Sequence, residues 1–254
     1  MAQYLKYPTK VMNITQDYDD DYSHKVESTG NPKSYPIDDN CGTSGRSYFY
    51  APCDVKIKRI YGVGNKGINT IWMESTKKVK LANGTESYVT IRVTHPGDDD
   101  LKKIKVGKTY KQGCEMFREG KDGNCTGYHF HIEISNCQFS KLKNNGWVKN
   151  SNDAWVTAPN SIKPEQAFYV DNNFTKIKCS KGLKFKEMPT KQYFKKYNGN
   201  SNSLIKALKT LGYSSSFSYR AKIAKENGIK LFLGTSSQNT KLLKLLKQGK
   251  LIKP

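Results

Sequence analysis

Long apolar runs are missing from this 254-residue chain, and so is any C-x-x-C pair of cysteines. No stretch approaches the roughly 18 apolar residues of a membrane-spanning helix, so we expect no membrane span. The first 21 residues lack the apolar core of a secretory signal, which argues against export by that route. Without a C-x-x-C pair, the six cysteines do not indicate a structural metal knot, and we expect reduced, buried thiols.

Acidic residues are scarce towards the C-terminus. The last 79 residues contain 19 Lys and Arg but only Glu187 and Glu226, a net charge of +17, whereas the first 175 residues carry +4. Such a basic region binds something acidic, which by charge alone is a nucleic acid, an anionic lipid or an anionic cell-wall polymer. Lysine greatly outnumbers arginine, which suits diffuse attraction better than forked recognition of bases.

Short strands separated by turns are indicated over residues 48–95. Residues 55–60 alternate apolar and polar side chains, and residues 88–93 are rich in β-branched types. Asn83-Gly84 is a hairpin signal. Gly62, Gly64 and Gly67 match G-x-G-x-x-G, but a strand-like segment follows instead of the helix that a dinucleotide site needs, so we interpret them as a turn. The sequence predicts a mainly antiparallel β fold.

The pattern changes near Lys176. Residues 176–200 are lysine-rich and end in an Asn/Gly/Ser stretch typical of a linker. From Ser201 onward, leucines and isoleucines follow the helical period in three short segments, each ending near a glycine. We therefore predict a domain over residues 1–175, a basic linker over 176–200, and a small α-helical bundle over 201–254.

The chain has only four histidines, His24, His95, His129 and His131. In a strand, residues i and i+2 point to the same face, so His129 and His131 would project together. Two such imidazoles can share a metal site, although an isolated H-x-H is also typical of an ordinary polar strand face. Likewise, His24 alone is typical of a solvated loop and Asp38 of a turn.

Taken in order, these residues resemble the lysostaphin/LytM-type zinc metallopeptidases over about residues 20–135. The resemblance is carried by His24, Asp38, Tyr50-Ala-Pro52, Thr94-His95, the glycines 107 and 113, and the closing Gly127-Tyr-His-Phe-His-Ile-Glu133. All four histidines fall in functional positions of that family. The resemblance implies a two-sheet catalytic domain of mainly antiparallel β structure.

Matched position by position, the resemblance implies that His24, Asp38 and His131 bind Zn²⁺. It implies that His95 and His129 are the catalytic residues beside the metal-bound water. Thirteen residues separate His24 from Asp38, more than the family often has, and the adjacent Asp39 is an alternative ligand.

The implied activity is hydrolysis of peptide bonds in bacterial peptidoglycan, with wall polymers as partners and no nucleic acid. Residues 218–251 are similar to a helical tail module of clostridial phage endolysins, which implies attachment to the cell wall. The expected setting is phage lysis, by an endolysin held in the host cytoplasm before its release or by a virion-associated lysin. The alternative is a polyanion- or nucleic-acid-binding protein with a non-catalytic peptidase-like domain.

Overall fold

The computed structural model describes residues 3–41, 45–64, 68–123, 125–171, 177–179 and 182–254. The chain divides into two compact units, Ala2–Met188 and Pro189–Pro254. Among the described residues, no helix is long and apolar enough to cross a membrane. Each unit has its own apolar core.

The first unit is mainly antiparallel β structure with three short helices. Its strands are β1 (Met12–Gln16), β2 (Ile37–Asp39), β3 (Tyr48–Tyr50), β4 (Val55–Tyr61), β5 (Thr70–Ser75), β6 (Val79–Lys80), β7 (Glu86–Ser87), β8 (Thr90–Thr94), β9 (Thr109–Tyr110), β10 (Glu115–Arg118), β11 (Phe130–Ser135), β12 (Val148–Lys149), β13 (Trp155–Val156), β14 (Tyr169–Val170), β15 (Ile177–Cys179) and β16 (Lys186–Glu187). Its helices are α1 (Lys25–Thr29), α2 (Asp98–Leu101) and α3 (Pro164–Ala167). Two 3-10 turns, Phe139–Lys141 and Lys143–Gly146, precede β12.

Eight strands form the main sheet in the order β15-β1-β2-β11-β8-β5-β4-β9. Only β15 and β1 pair in parallel; the other neighbours are antiparallel. Every residue of β8 and β11 is buried, as expected for central strands that are covered on both faces. In the register at the centre of the sheet, His131 lies opposite Asp38 on one side and Thr94 on the other.

A small second sheet, β3 with β10, packs on the main sheet through aromatic rings. Phe49 and Phe117 stack with their ring centroids 4.9 Å apart, and both meet the edge of Phe130 from β11. All three side chains are fully buried. The two-sheet expectation therefore corresponds to one large sheet and this two-stranded partner, while three further strand pairs lie outside them.

Several local predictions can be compared with the structure. The Asn83-Gly84 hairpin is confirmed, because β6 and β7 pair across it. Residues 65–67 of the glycine turn lie outside the described residues. The prediction of buried cysteines is wrong for Cys114, which is exposed, while Cys41 and Cys53 are buried and free.

The second unit contains three helices, α4 (Leu204–Thr210), α5 (Phe217–Glu226) and α6 (Ser236–Lys247). Each begins at a serine or threonine whose side chain accepts a backbone N–H, the usual way to satisfy a free helix N-terminus. Their buried faces meet around Leu208, Ile223 and Leu246. The lysines of these helices lie on the outside.

The structure differs from the linker expected over residues 176–200. Residues 177–179 form β15 of the main sheet, and β16 pairs with β14. Phe194 and Tyr197 are buried in the core of the second unit, where the Phe194 N–H donates to the Leu251 carbonyl. The high lysine content concealed these contacts, because the aromatic residues between the lysines provide the buried surface.

Candidate metal centre

Three side chains from distant parts of the chain converge at one end of the main sheet. His24 is the N-cap residue of α1, Asp38 lies in β2, and His131 lies in β11 directly opposite Asp38. His24 Nε2 lies 3.3 Å from Asp38 Oδ1, and His131 Nδ1 lies 3.1 Å from the same oxygen. All three residues are buried.

This geometry fits a tetrahedral zinc ion. Zinc–nitrogen and zinc–oxygen bonds of about 2.0–2.1 Å place neighbouring ligand atoms of a tetrahedron about 3.3 Å apart, close to both observed separations. The three ligand atoms all lie within 4.8 Å of one another. Two imidazoles and one carboxylate form a donor set that zinc prefers, and three protein ligands leave one position open.

Asp38 and His131 are strongly coupled in charge. Burial alone would raise the pKa of Asp38, but hydrogen bonds to His131 and His24 outweigh it and hold that pKa well below its usual range. Burial would lower the pKa of His131, whereas the charge of Glu27 and the hydrogen bonds to Asp38 and Glu133 raise it to about 10. The metal-free pocket therefore holds a charged pair where the ligands converge.

A second layer of charged residues lies behind His131, and the sequence analysis did not assign it a role. His131 Nε2 lies 3.2 Å from Glu133 Oε1 and 3.8 Å from Glu27 Oε2. Arg92 in β8 forms a salt bridge with Glu133. Burial would raise the pKa of Glu133, but the charges of Arg92 and His131 lower it to about 2. A carboxylate on Nε2 leaves Nδ1 as the nitrogen available to a metal.

The signal for Glu133 was present, because it follows His131 by two residues on the same face of a strand. Glu27 follows His24 by three residues, one helical turn later. Burial raises the pKa of Glu27 to about 7, although the charge of His131 opposes that shift. Arg92 could not be found in this way, because its pairing with Glu133 depends on the register of β8 against β11.

His95 and His129 form a second pair of imidazoles beside the first three residues, with ring centroids 4.6 Å apart. His129 Nε2 lies 3.7 Å from Asp38 Oδ2. His95 Nδ1 lies 2.8 Å from the Asp122 carbonyl and His129 Nδ1 lies 3.0 Å from that of Gly127, so both can donate there and keep Nε2 unprotonated. Burial and the nearby charge of His129 lower the pKa of His95 to about 4.

The backbone of His95 adopts the left-handed region, with a φ of 67°. Gly120 makes this possible by close approach: its N–H donates to the His95 carbonyl at 2.7 Å, and an added Cβ would lie only 2.8 Å from that oxygen. Gly120 also forms a bridge with His129. One glycine thus contacts the backbone of both imidazole-bearing residues, which is consistent with strain held at a functional site.

Asp39, the alternative ligand, points away from the histidines. Its carboxylate accepts hydrogen bonds from Asn13 N–H, Tyr7 O–H and Thr9 O–H, and it is fully buried. Neighbouring strand residues face opposite sides of a sheet, so only one of the two aspartates can reach the site. Asp38 is the aspartate placed beside His24 and His131.

The long segment between His24 and Asp38 is tied to a distant loop. Asn150 and Asn152 each donate from Nδ2 to the Val26 carbonyl, and Asn31 and Ser151 exchange hydrogen bonds. We call this set of contacts the 26–152 clasp. It positions α1, and with it His24, although the intervening residues are more numerous than the family often has.

A cleft of about 500 Å³ opens above the site. It exposes the five predicted site residues together, and its rim comes from the segments on either side of them. The lining residues are Thr15, Gln16, Tyr22, Ser23, His24, Glu27, Asp38, Asn40, His95, Cys125, Thr126, Gly127, Tyr128, His129 and His131. An extended chain could reach the open side of the three-ligand cluster through it.

Comparisons with known proteins give a partial match. The chain is 31% identical over 156 residues to Morphogenesis protein 1 of Bacillus phage B103, a match that covers 60% of this chain and 36% of the phage protein. The chain therefore spans about a third of the length of that relative. No protein-family model matches the chain.

Among solved structures, the chain is similar to several peptidases. They include lysostaphin from Staphylococcus simulans (16% identity, TM-score 0.36, covering 61% of this chain and 65% of that one). LytU is similar at 13% identity with a TM-score of 0.34, covering 65% and 88%. A zinc-containing peptidase from Vibrio cholerae is similar at 21% identity with a TM-score of 0.35, covering 53% and 36%. All three TM-scores lie below 0.5, so the interpretation of the site rests on its own geometry.

Proposed function

We propose that the unit Ala2–Met188 is a zinc-dependent endopeptidase that cleaves peptide bonds in bacterial peptidoglycan. The observation that carries this proposal is the convergence of His24 Nε2, Asp38 Oδ1 and His131 Nδ1 at near-tetrahedral spacing. His95 and His129 add two unprotonated Nε2 atoms beside the open position. Three ligands, an open position and an adjacent base are the parts that metal-assisted amide hydrolysis requires.

The proposed mechanism divides the work between the ion and the imidazoles. A bound zinc ion supplies Lewis acidity, which polarises a carbonyl and acidifies a water molecule. His129 Nε2 accepts the proton of the attacking water, because its Nδ1 is already bonded to the Gly127 carbonyl. His95 shares this proton and delivers it to the leaving amine. Glu133 holds the His131 ring in the orientation that presents Nδ1.

The proposed biological setting is a bacteriophage that infects a clostridial-type Gram-positive host. The identity with a phage morphogenesis protein supports a phage origin, and the name of that relative favours the virion-associated lysin over the endolysin. The substrate follows from the family resemblance of the histidine motifs. The bond cleaved could be a glycine bridge or a direct link between stem peptides.

We further propose that the unit Pro189–Pro254 attaches the enzyme to the cell wall. It contains 14 Lys and Arg against one acid, Glu226. Gram-positive walls carry anionic polymers, which such a surface attracts over several ångströms of solvent. The same charge supports the second candidate, a polyanion-binding protein without catalysis, so the test must measure chemistry as well as binding.

The metal is tested by elemental analysis of the purified protein and of two variants. We expect one zinc per chain in the wild type, none in His131→Ala, and one in His129→Ala, because only His131 lies among the three proposed ligands. The two histidines lie two residues apart, so each variant is the control for the other. Equal zinc content in the two variants would contradict the ligand assignment.

The activity is tested on suspensions of purified Gram-positive walls. We expect the wild type to reduce turbidity and to release new amino termini, and mass spectrometry of the products identifies the bond cleaved. A chelator should abolish release and added zinc should restore it. Sedimentation of the protein with walls, without any new amino terminus under zinc-replete conditions, would favour the non-catalytic candidate.

A further inference from the structure

Arg220, in α5 of the C-terminal unit, is a buried cation that no acid neutralises. Its side chain is only 9% exposed. Among residues 189–254, all of which the structure describes, there is no salt bridge, and the single acid of that unit, Glu226, lies at the end of the same helix. An unpaired buried charge is costly, so such a guanidinium calls for an explanation.

The guanidinium uses only part of its hydrogen-bonding capacity. Nε donates to the Ser215 carbonyl at 3.0 Å, and Nη1 donates to Asn239 Oδ1 at 2.7 Å. A guanidinium carries five N–H groups, so three remain, and Nη2 has no partner among the described residues. The two outer nitrogens form the fork that carboxylates and phosphates bind.

Apolar side chains lie around this fork and remain exposed. The Phe217 and Phe232 rings lie 5.9 Å and 5.6 Å from the Arg220 guanidinium carbon. Phe217 is 54% exposed, and Leu231 and Leu233, which flank Phe232 along the chain, are 70% and 65% exposed. We call Arg220, Phe217, Leu231 and Leu233 the Arg220 patch.

The loop that carries the two leucines is held in place. The Gln238 side chain accepts a hydrogen bond from the Leu233 N–H at 2.9 Å and donates to the Leu231 carbonyl at 2.7 Å. Asn239, which accepts from Arg220, also donates to the Gly234 carbonyl at 2.8 Å. The Arg220 patch is therefore pre-organised, which lowers the entropy cost of binding.

We propose that the Arg220 patch binds the C-terminal carboxylate of a short peptide with small apolar side chains, as found on an alanine-ended wall peptide. The fork alone would accept a phosphate as well. The exposed leucines and Phe217 favour the peptide, because methyl groups can cover them and a hydrated phosphate polymer cannot. This inference rests on the proposed function of the C-terminal unit, whose lysines would supply the unspecific attraction.

The test measures binding of a synthetic stem peptide ending in D-Ala, as the free acid and as the C-terminal amide, to the full chain carrying His129→Ala. That background prevents cleavage during the titration. We expect the free acid to bind at least about tenfold more tightly than the amide, since charge-assisted hydrogen bonds are the stronger class. Arg220→Gln should remove this difference, and Lys225→Gln, an exposed charge on the same helix, should keep it.

Leu231→Ser and Leu233→Ser keep the test decisive even where Arg220→Gln reduces folding, because both leucines are largely exposed. Each should weaken binding of the free acid several-fold without changing the circular dichroism spectrum. Equal affinity for acid and amide, or binding of a glycerol-phosphate polymer in place of the peptide, would overturn the proposal. The zinc content of the same preparations reports separately on the proposed enzyme.

Discussion

At the scale of single residues, the five site residues differ most in what each imidazole nitrogen contacts. His131 has a carboxylate on each nitrogen, Asp38 at Nδ1 and Glu133 at Nε2. His95 and His129 instead have a backbone carbonyl at Nδ1. Carboxylate partners suit a ligand that stays in place, whereas a free Nε2 suits a residue that gains and loses a proton.

This difference predicts separate effects of substitution on hydrolysis. We expect His129→Ala to lose about 10²–10⁴-fold in the rate of peptide release while keeping zinc, the usual contribution of a general base. Thr126→Ala changes another residue of the cleft lining and should retain most of the rate. Near-normal hydrolysis by His129→Ala would assign the proton transfer to another group.

A second residue-scale prediction concerns Glu119, far from the proposed ligands and fully buried. Burial raises the pKa of its carboxyl to about 7, although the Ser47 N–H donates to it. The folded protein then holds a proton that the unfolded chain releases above its usual pKa of about 4.5. The free energy of unfolding should therefore fall by up to about 3 kcal/mol as the pH rises from about 4.5 to above 7.

Urea unfolding at several pH values checks this dependence. Glu119→Gln should remove most of the fall, and should be more stable than the wild type at pH 8. Glu115→Gln, an exposed position on the same strand, is the control and should leave the pH dependence unchanged. A wild-type stability that rises between pH 5 and pH 8 would contradict the burial argument.

At the scale of elements, the register of β8 against β11 aligns Arg92 with Glu133 under the proposed metal ligand. Both side chains are almost completely buried. Removing one member of a buried ion pair leaves the other charge unpaired and typically costs about 3–5 kcal/mol. We expect that loss for Arg92→Leu, together with weaker zinc binding, because Glu133 would no longer be fixed behind His131.

Chemical denaturation and a competitive zinc chelator measure the two effects. Arg59→Leu offers the matched control, since Arg59 continues the same row across the sheet at Trp72 but is only half-buried. It should cost less than about 1 kcal/mol, as partly exposed charges usually do. Comparable losses in the two variants would show that the register does not support the metal site.

The elements also show how far the sequence could predict the structure. Strand periodicity and motif order predicted Asp38 and His131 on one face, because both depend on local alternation. The parallel pairing of β1 with β15 joins residues more than 160 positions apart, and no local pattern encodes it. The same limit applies to Arg92 and to the 26–152 clasp, which are set by contacts across the sheet and between loops.

At the scale of the whole molecule, the division lies at Met188 and Pro189, so the separable piece begins before the first helix. We predict that residues 189–254 fold alone and label Gram-positive walls. A shorter fragment of residues 201–254 should melt at a lower temperature, because it lacks Phe194 and Tyr197 from its core. Circular dichroism melts of the two fragments provide the comparison, and equal melting temperatures would contradict it.

Salt separates the two modes of attachment by this unit. If the lysines dominate, labelling of walls should weaken strongly between 0.1 M and 1 M salt, as the Debye length falls from about 10 Å to about 3 Å. A residual component that survives at 1 M and depends on Leu231 would belong to the Arg220 patch. A fragment that labels no walls even at low salt would leave the basic charge without its proposed partner.

The 26–152 clasp has a consequence for the order in which the protein is made. His24 leaves the ribosome early, but the asparagines that hold its helix follow more than 120 residues later. At about 5–20 residues per second, the nascent chain spends on the order of ten seconds with His24 synthesised and its support missing. A peptidase built in this way stays inactive on the ribosome until most of its catalytic unit has emerged.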